Sequence, residues 1–146
     1  MKHKQFGQIT VVGAGLMGHG IALEFALRGF NVCLHSRSKK SLEKGLARIQ
    51  NTLSKMEKMG MITDGEMKPA LSRIRLSTIL EKAVSNADIV FESVYENLDI
   101  KQYVFQLLDR HCPQYSILAS NTSTFVPSQL ASKTNRPDKV IVTHYI

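Results

Sequence analysis

The sequence predicts an α/β fold, a doubly wound and mostly parallel sheet with helices on both faces. Three observations predict it. Short β-rich runs alternate with helix-period segments along the chain. The strand centres are continuous apolar runs such as Ile89-Val90-Phe91, as strands buried on both faces require. The first strand, helix and second strand fit into residues 8–35, the size of one β-α-β unit.

Each element follows from local pattern. Gln8 to Val12 is β-rich and meets Gly13, a strand running into a turn. Residues 16–29 read as a helix, with Met17, Ile21, Ala22, Phe25 and Ala26 at three- and four-residue spacing and Gly29 closing it. Phe30 to His35 is the second strand. Residues 38–59 form a long helix whose apolar stripe is Leu42, Leu46, Ile49, Leu53 and Met56. At 1.5 Å per residue it spans about 33 Å, so it is expected to project from the sheet or to bind something. Thr63 and Glu66 fit a capping box for a short helix over 64–71, which makes the pair a helical hairpin inserted after the second strand.

The alternation then resumes. Arg73–Thr78 is a strand, Ile79–Val84 a short helix and Ala87–Val94 a strong strand. Asn97–Cys112 is a helix with Ile100, Tyr103, Val104, Leu107 and Leu108 on one face. Ser116–Ser120 is a strand, Pro127–Lys133 a helix with proline in its first turn, and Lys139–Ile146 a final strand. No repeat or linker divides the chain.

Length and composition narrow the class. The 146 residues suit one domain over 1–146. No run approaches the ~18 apolar residues of a membrane span, and the start runs straight into a strand pattern with no h-region, so no signal peptide is expected. Cys33 and Cys112 form no CxxC pair, which argues against a disulfide scaffold or a zinc site and for a cytoplasmic protein. The net charge is +7, with positives gathered at Lys39, Lys40, Lys44, Arg48, Lys55 and Lys58 along the long helix. A solvated basic face explains that cluster by default. No aromatics interleave with it, so nucleic acid is not the expected partner.

Gly13-Ala14-Gly15-Leu16-Met17-Gly18 is G-x-G-x-x-G, and its setting between a strand and a helix makes it a Rossmann-type phosphate loop. Gly13 permits the tight turn, Gly15 lets the backbone approach a pyrophosphate on the helix N-terminus, and Gly18 allows close packing. An acidic residue is expected at the tip of the second strand, to bind the ribose hydroxyls. Here Ser36 stands in that place with Arg37 next. Ser36 removes the carboxylate that repels a 2′-phosphate, and Arg37 with Lys39 and Lys40 can bind one, which favours tolerance of NADP beside NAD. The alternative is that Arg37 only stacks on adenine. At the same edge the fifth strand ends in Ser120-Asn121-Thr122-Ser123 and the last in Thr143-His144-Tyr145.

These motifs together resemble the NAD-binding domain of the 3-hydroxyacyl-CoA dehydrogenase family. The likeness rests on VVGAGLMGHGIA at 11–22, ADIVFESVYENLDIK at 87–101, ILASNTS at 117–123 and the strand ending in His144 after RPDKVIVT. It implies that Gly13 to Gly18 hold the cofactor pyrophosphate, with Glu96 and Lys101 beside the nicotinamide half. Ser123, near Asn121, would hydrogen-bond the substrate oxygen. His144 would be the general base, a role suited to an imidazole with pKa near 6.5. Lys55 or Lys58 would help hold the CoA phosphates.

Two departures accompany the likeness. The family usually has Asp where Ser36 sits. Its members also place a glutamate that orients the histidine, an asparagine and an all-helical dimerising domain beyond the histidine, whereas this sequence stops two residues after His144. The chain alone is therefore expected to bind dinucleotide and turn over poorly. A non-catalytic dinucleotide-binding or assembly module is the alternative. A flavin- or methyl-donor-binding domain fits less well, because it leaves Ser123 and His144 without a task.

Overall fold

The computed structural model describes residues 6–145, so the residues read at the extreme start of the chain and Ile146 lie outside it. Six strands form one sheet, β1 (Gln8–Val12), β2 (Asn31–His35), β3 (Ile74–Ser77), β4 (Ile89–Glu92), β5 (Ile117–Ser120) and β6 (Val140–Val142). Every pair is parallel and the order is β3-β2-β1-β4-β5-β6. The order reverses between β1 and β4, and ligands of such sheets bind in the crevice outside the strand ends at that reversal.

The register sets one functional edge. Val12 is level with His35 on one side and Glu92 on the other, Glu92 with Ser120, and Ser120 with Val142. The residues that follow these rungs are Ser36, Gly13, Ser93, Asn121 and Thr143. All therefore leave the sheet at its carboxyl edge.

Two apolar layers cover the faces. Alternate strand residues Ile9, Val11, Val32 and Leu34 pack on helices α1 (Leu16–Leu27), α2 (Lys39–Lys58) and α3 (Asp64–Ser72). Val12, Cys33, Val90 and Leu118 face α4 (Leu80–Val84), α5 (Leu98–His111) and α6 (Pro127–Ala131). Cys33 and Cys112 are buried and free, and burial pushes the Cys112 thiol up to about 12. Neither forms a disulfide.

Three sequence expectations are corrected. First, α2 does not stand off the sheet. Its Leu42, Ile49 and Leu53 are buried in the same layer as Ile21 and Ala26 of α1 and Ala70 of α3. The helix is long because α1 and α3 extend its packing surface beyond the strands. At the hairpin tip the large apolar residues Met59 and Met61 stand exposed.

Second, the buried face of α5 is Lys101, Phe105 and Leu108, while Ile100 and Tyr103 are exposed. The face is rotated because a lysine occupies a core position, where a buried carboxylate neutralises it. Third, the last strand is shorter than expected. A 3₁₀ turn at Pro137–Lys139 leads into it, and it ends at Val142 because the Tyr145 amide donates to the Asn121 side chain instead of to a ladder carbonyl. Arg136 fixes its entry. That guanidinium is buried and donates to Asp109 Oδ1 at 2.7 Å and to the Pro113 carbonyl at 2.6 Å.

Candidate functional site

The glycine turn lies between β1 and α1, and each of its glycines meets a different constraint. Gly13 has φ +111°, and a Cβ there would lie 2.4 Å from the Ser93 carbonyl oxygen. Its amide donates to the His35 carbonyl at 2.9 Å, so the turn is tied to the end of β2. A Cβ on Gly18 would fall 1.7 Å from the Gly13 carbonyl oxygen, so the helix packs on the turn itself as well as on the strand.

Gly15 differs, because a Cβ there would meet nothing within 4 Å. It is the N-cap of α1, offers no capping side chain and is followed by no acid in the first turn. Leu16 is 74% exposed. The first-turn amides therefore keep the positive end of the helix dipole uncapped at an open surface, which fits a pyrophosphate. Ala14 is buried against α2, where a Cβ on Gly45 would come 3.1 Å from its carbonyl oxygen.

The contrast makes a prediction. Gly18→Ala forces the turn to move and is expected to destabilise the fold by about 1–3 kcal/mol, as overpacking does. Gly15→Ala is expected to leave the melting temperature unchanged and to abolish dinucleotide binding, because its methyl occupies the ligand's space. Thermal melts beside a cofactor titration read both effects, and a destabilised Gly15→Ala protein would refute the assignment.

At the tip of β2, the Ser36 amide donates to the Ser77 carbonyl at 3.4 Å and its hydroxyl accepts from the Ser38 amide at 3.3 Å. Arg37 is exposed beside it. Ser38 caps α2 by accepting from the Ser41 amide.

Across the switch point, a polar network joins the loops after β4 and β5. Glu92 is completely buried. Its Oε2 accepts from Lys101 Nζ at 2.7 Å and from the Val94 amide at 2.8 Å, and its Oε1 accepts from Ser120 Oγ at 2.6 Å. Lys101 also donates to the Val94 carbonyl at 3.2 Å and lies 3.9 Å from Glu96 Oε1. Glu96 in turn accepts from Thr122 Oγ1 at 2.7 Å and from the Ser123 amide at 3.5 Å. Glu96 and Ser123 are thus adjacent and exposed, while Lys101 is a buried post beneath them.

The His144 segment is fastened to the same turn. The Thr143 amide donates to the Ser120 carbonyl at 2.8 Å, and the Tyr145 amide to Asn121 Oδ1 at 2.8 Å. The Tyr145 ring packs edge-on against Phe91 at 6.1 Å. His144 is exposed between these two ties. Asn121 is therefore occupied by the backbone next to the histidine. Lys55 and Lys58 lie exposed in the last turn of α2. That is the opposite end of the 20-residue helix from Ser36 and Arg37.

Glu92 and Gly45 are given no role by the sequence alone, and Ser120 and Thr122 stand there only as members of the polar run that ends the fifth strand. The signal for Glu92 is an acid closing an apolar strand, in the run Ile89-Val90-Phe91-Glu92. A charge there needs a partner, and Lys101 stands nine positions on.

Known proteins share this fold. The family model for the 3-hydroxyacyl-CoA dehydrogenase NAD-binding domain matches residues 8–146. A probable 3-hydroxybutyryl-CoA dehydrogenase of Bacillus subtilis is 42% identical over 95% of this chain and 48% of its own length. The 3-hydroxybutyryl-CoA dehydrogenase of Clostridioides difficile is 38% identical over 94% of this chain and 49% of its own. Among solved structures, the (S)-3-hydroxybutyryl-CoA dehydrogenase of Ralstonia eutropha superposes with a TM-score of 0.94 at 34% identity, covering 97% of this chain and 50% of that one. The chain thus spans about half the length of these relatives. With the glycine turn, the Asn121–Ser123 turn and His144 on one sheet edge, the chain belongs to the 3-hydroxyacyl-CoA dehydrogenase family, within its NAD-binding domain.

Proposed function

We propose that the chain is the dinucleotide-binding half of an oxidoreductase that converts the 3-hydroxyl of a 3-hydroxyacyl-CoA, or a related 3-hydroxy acid, to the 3-keto form. The observation that supports this most is the tie between the histidine and the serine turn. Backbone bonds from Thr143 and Tyr145 to Ser120 and Asn121 hold His144 on the rim that also carries Ser123.

The residues divide the work. The open amides after Gly15, together with Ala14, Leu16 and Met17, receive the pyrophosphate. Glu96, set by Thr122 and by the buried Lys101 beneath it, borders the nicotinamide half. Bound NAD supplies the hydride acceptor. Ser123 hydrogen-bonds the substrate oxygen, and Asn121 holds the histidine's backbone in reach of it. His144 takes the hydroxyl proton in the oxidative direction and returns it in reduction. Lys55 and Lys58 attract the phosphates of CoA. A homodimer through the helical domain that the family resemblance implies belongs to the same reading, as does a cytoplasmic location. Among the described residues no helix is long and apolar enough to cross a membrane.

The test has two stages. The chain is titrated with NADH, read by the fluorescence of the nicotinamide, and binding is expected. Reduction of acetoacetyl-CoA is then assayed with the chain alone and with the chain joined to the part of the Bacillus subtilis relative that the match does not cover. Activity is expected only in the joined protein. Binding without turnover in both would favour a dinucleotide-binding module without catalysis.

A further inference from the structure

We propose that the adenosine end of this site accepts a 2′-phosphate, so that NADP(H) is a working cofactor, with Ser36 and Arg37 as the residues that set the choice. The inference rests on the dinucleotide reading above and adds to it the identity of the phosphorylated ligand.

Position comes first. The Gly13 amide to His35 carbonyl bond fastens the end of β2 to the turn that receives the pyrophosphate. Ser36 is the next residue, and its amide bond to Ser77 extends the ladder one step, which leaves its side chain at the carboxyl edge. In dinucleotide folds, the residue at this place meets the adenosine ribose. A carboxylate there accepts from the 2′-hydroxyl and repels a 2′-phosphate. Ser36 is neutral, and because its oxygen accepts the Ser38 amide, its own O–H proton is left to donate to an anion.

The charge around it has one sign. From Ser36 to Leu42 the chain reads Ser-Arg-Ser-Lys-Lys-Ser-Leu, three cations without an acid. Arg37, Lys39 and Lys40 are all exposed, and among the described residues none of the three is held in an ion pair. The nearest carboxylates along the flanking elements are Glu43, past the first turn of α2, and Glu81 on α4, both exposed.

Placing Lys39 and Lys40 in the first turn of a 20-residue helix sets cations against the positive end of its dipole. That arrangement costs the free protein stability, and a bound dianion relieves it. The cluster is also firmly placed, because Gly45 seats α2 on Ala14 of the glycine turn. Arg37 can meet a phosphate with a two-pronged donor pair, which a ribose hydroxyl cannot match.

The test titrates the chain with NADH and NADPH by nicotinamide fluorescence, with 5′-ADP and adenosine 2′,5′-bisphosphate as competitors. NADPH is expected to bind within about tenfold of NADH, and the bisphosphate to displace it better than 5′-ADP. Ser36→Asp is expected to lower the NADPH-to-NADH affinity ratio at least about tenfold, and Arg37→Ala to lower it in the same sense. Should Ser36→Asp fail to fold, Arg37→Ala carries the comparison. NADH binding about a hundredfold tighter than NADPH overturns this inference and leaves the dinucleotide reading standing. Equal losses of both cofactors in the Arg37 variant overturn it as well. Failure of the parent chain to bind either cofactor overturns both readings together.

Discussion

Replacing His144 by alanine in a protein that carries both halves is expected to slow 3-hydroxyacyl-CoA oxidation by roughly 10²–10⁴-fold, the usual worth of a positioned acid–base group. Cofactor affinity is expected to stay within a fewfold of the parent. His144 lies between two residues whose amides are already committed, Thr143 to the Ser120 carbonyl and Tyr145 to Asn121 Oδ1. The Tyr145 ring, lodged against Phe91, prevents that short segment from swinging away. The imidazole is thus exposed from a fixed piece of backbone rather than from a free tail. His144→Gln separates proton transfer from mere hydrogen bonding, since the amide donates but takes up no proton. It should lose nearly as much rate as alanine. Asn121→Ala should lower kcat with little change in cofactor affinity, because it frees the Tyr145 amide and with it the histidine's position. Wild-type turnover in His144→Ala would end the general-base assignment, whatever the cofactor data show.

What could be read beforehand, and what could not, follows from how local each signal is. The glycine turn was legible because each of its glycines answers a local demand: a positive φ at Gly13, space at Gly15, a backbone contact at Gly18. Ser36 was legible because its place is a fixed step from that turn along a β-α-β unit. The edge shared by Ser123 and His144 followed from the alternation alone, since parallel strands deliver all their carboxyl ends to one side. The faces of the helices were harder. Hydrophobic period assigned Ile100 and Tyr103 of α5 to the core, but the core position is Lys101. Its suitability depends on Glu92, a residue of another element, and periodicity does not see pairs. The length of α2 misled for the same reason. Its stripe is buried by α1 and α3, and no feature of α2 alone announces those neighbours. Long-range polar pairing is therefore the part of this site that only the fold discloses.

That pairing sets the other large effect. Glu92→Ala is expected to destabilise the protein by about 3–5 kcal/mol, because it leaves the ammonium of Lys101 buried without a counter-charge. For a chain of this size the melting temperature should fall by roughly 10 °C or more. Ser120 Oγ and the Val94 amide lose their acceptor in the same stroke. Glu92→Gln should cost less, since the amide oxygen still accepts, though it cannot balance the charge. The pair Glu92→Leu with Lys101→Met should recover much of the loss, as apolar replacements of buried ion pairs often do. Binding should not recover with it. Lys101 lies under Glu96, and Glu96 holds Thr122 and the Ser123 amide, so an apolar replacement restores packing without restoring that turn. The expected result is a double variant that melts near the parent but binds NADH more weakly. A double variant with both stability and affinity intact would mean that the buried network supports the fold and has no part in shaping the site. A Glu92→Ala protein as stable as the parent would mean that Lys101 leaves its buried position easily, and that the loop after β4 is held by backbone bonds alone.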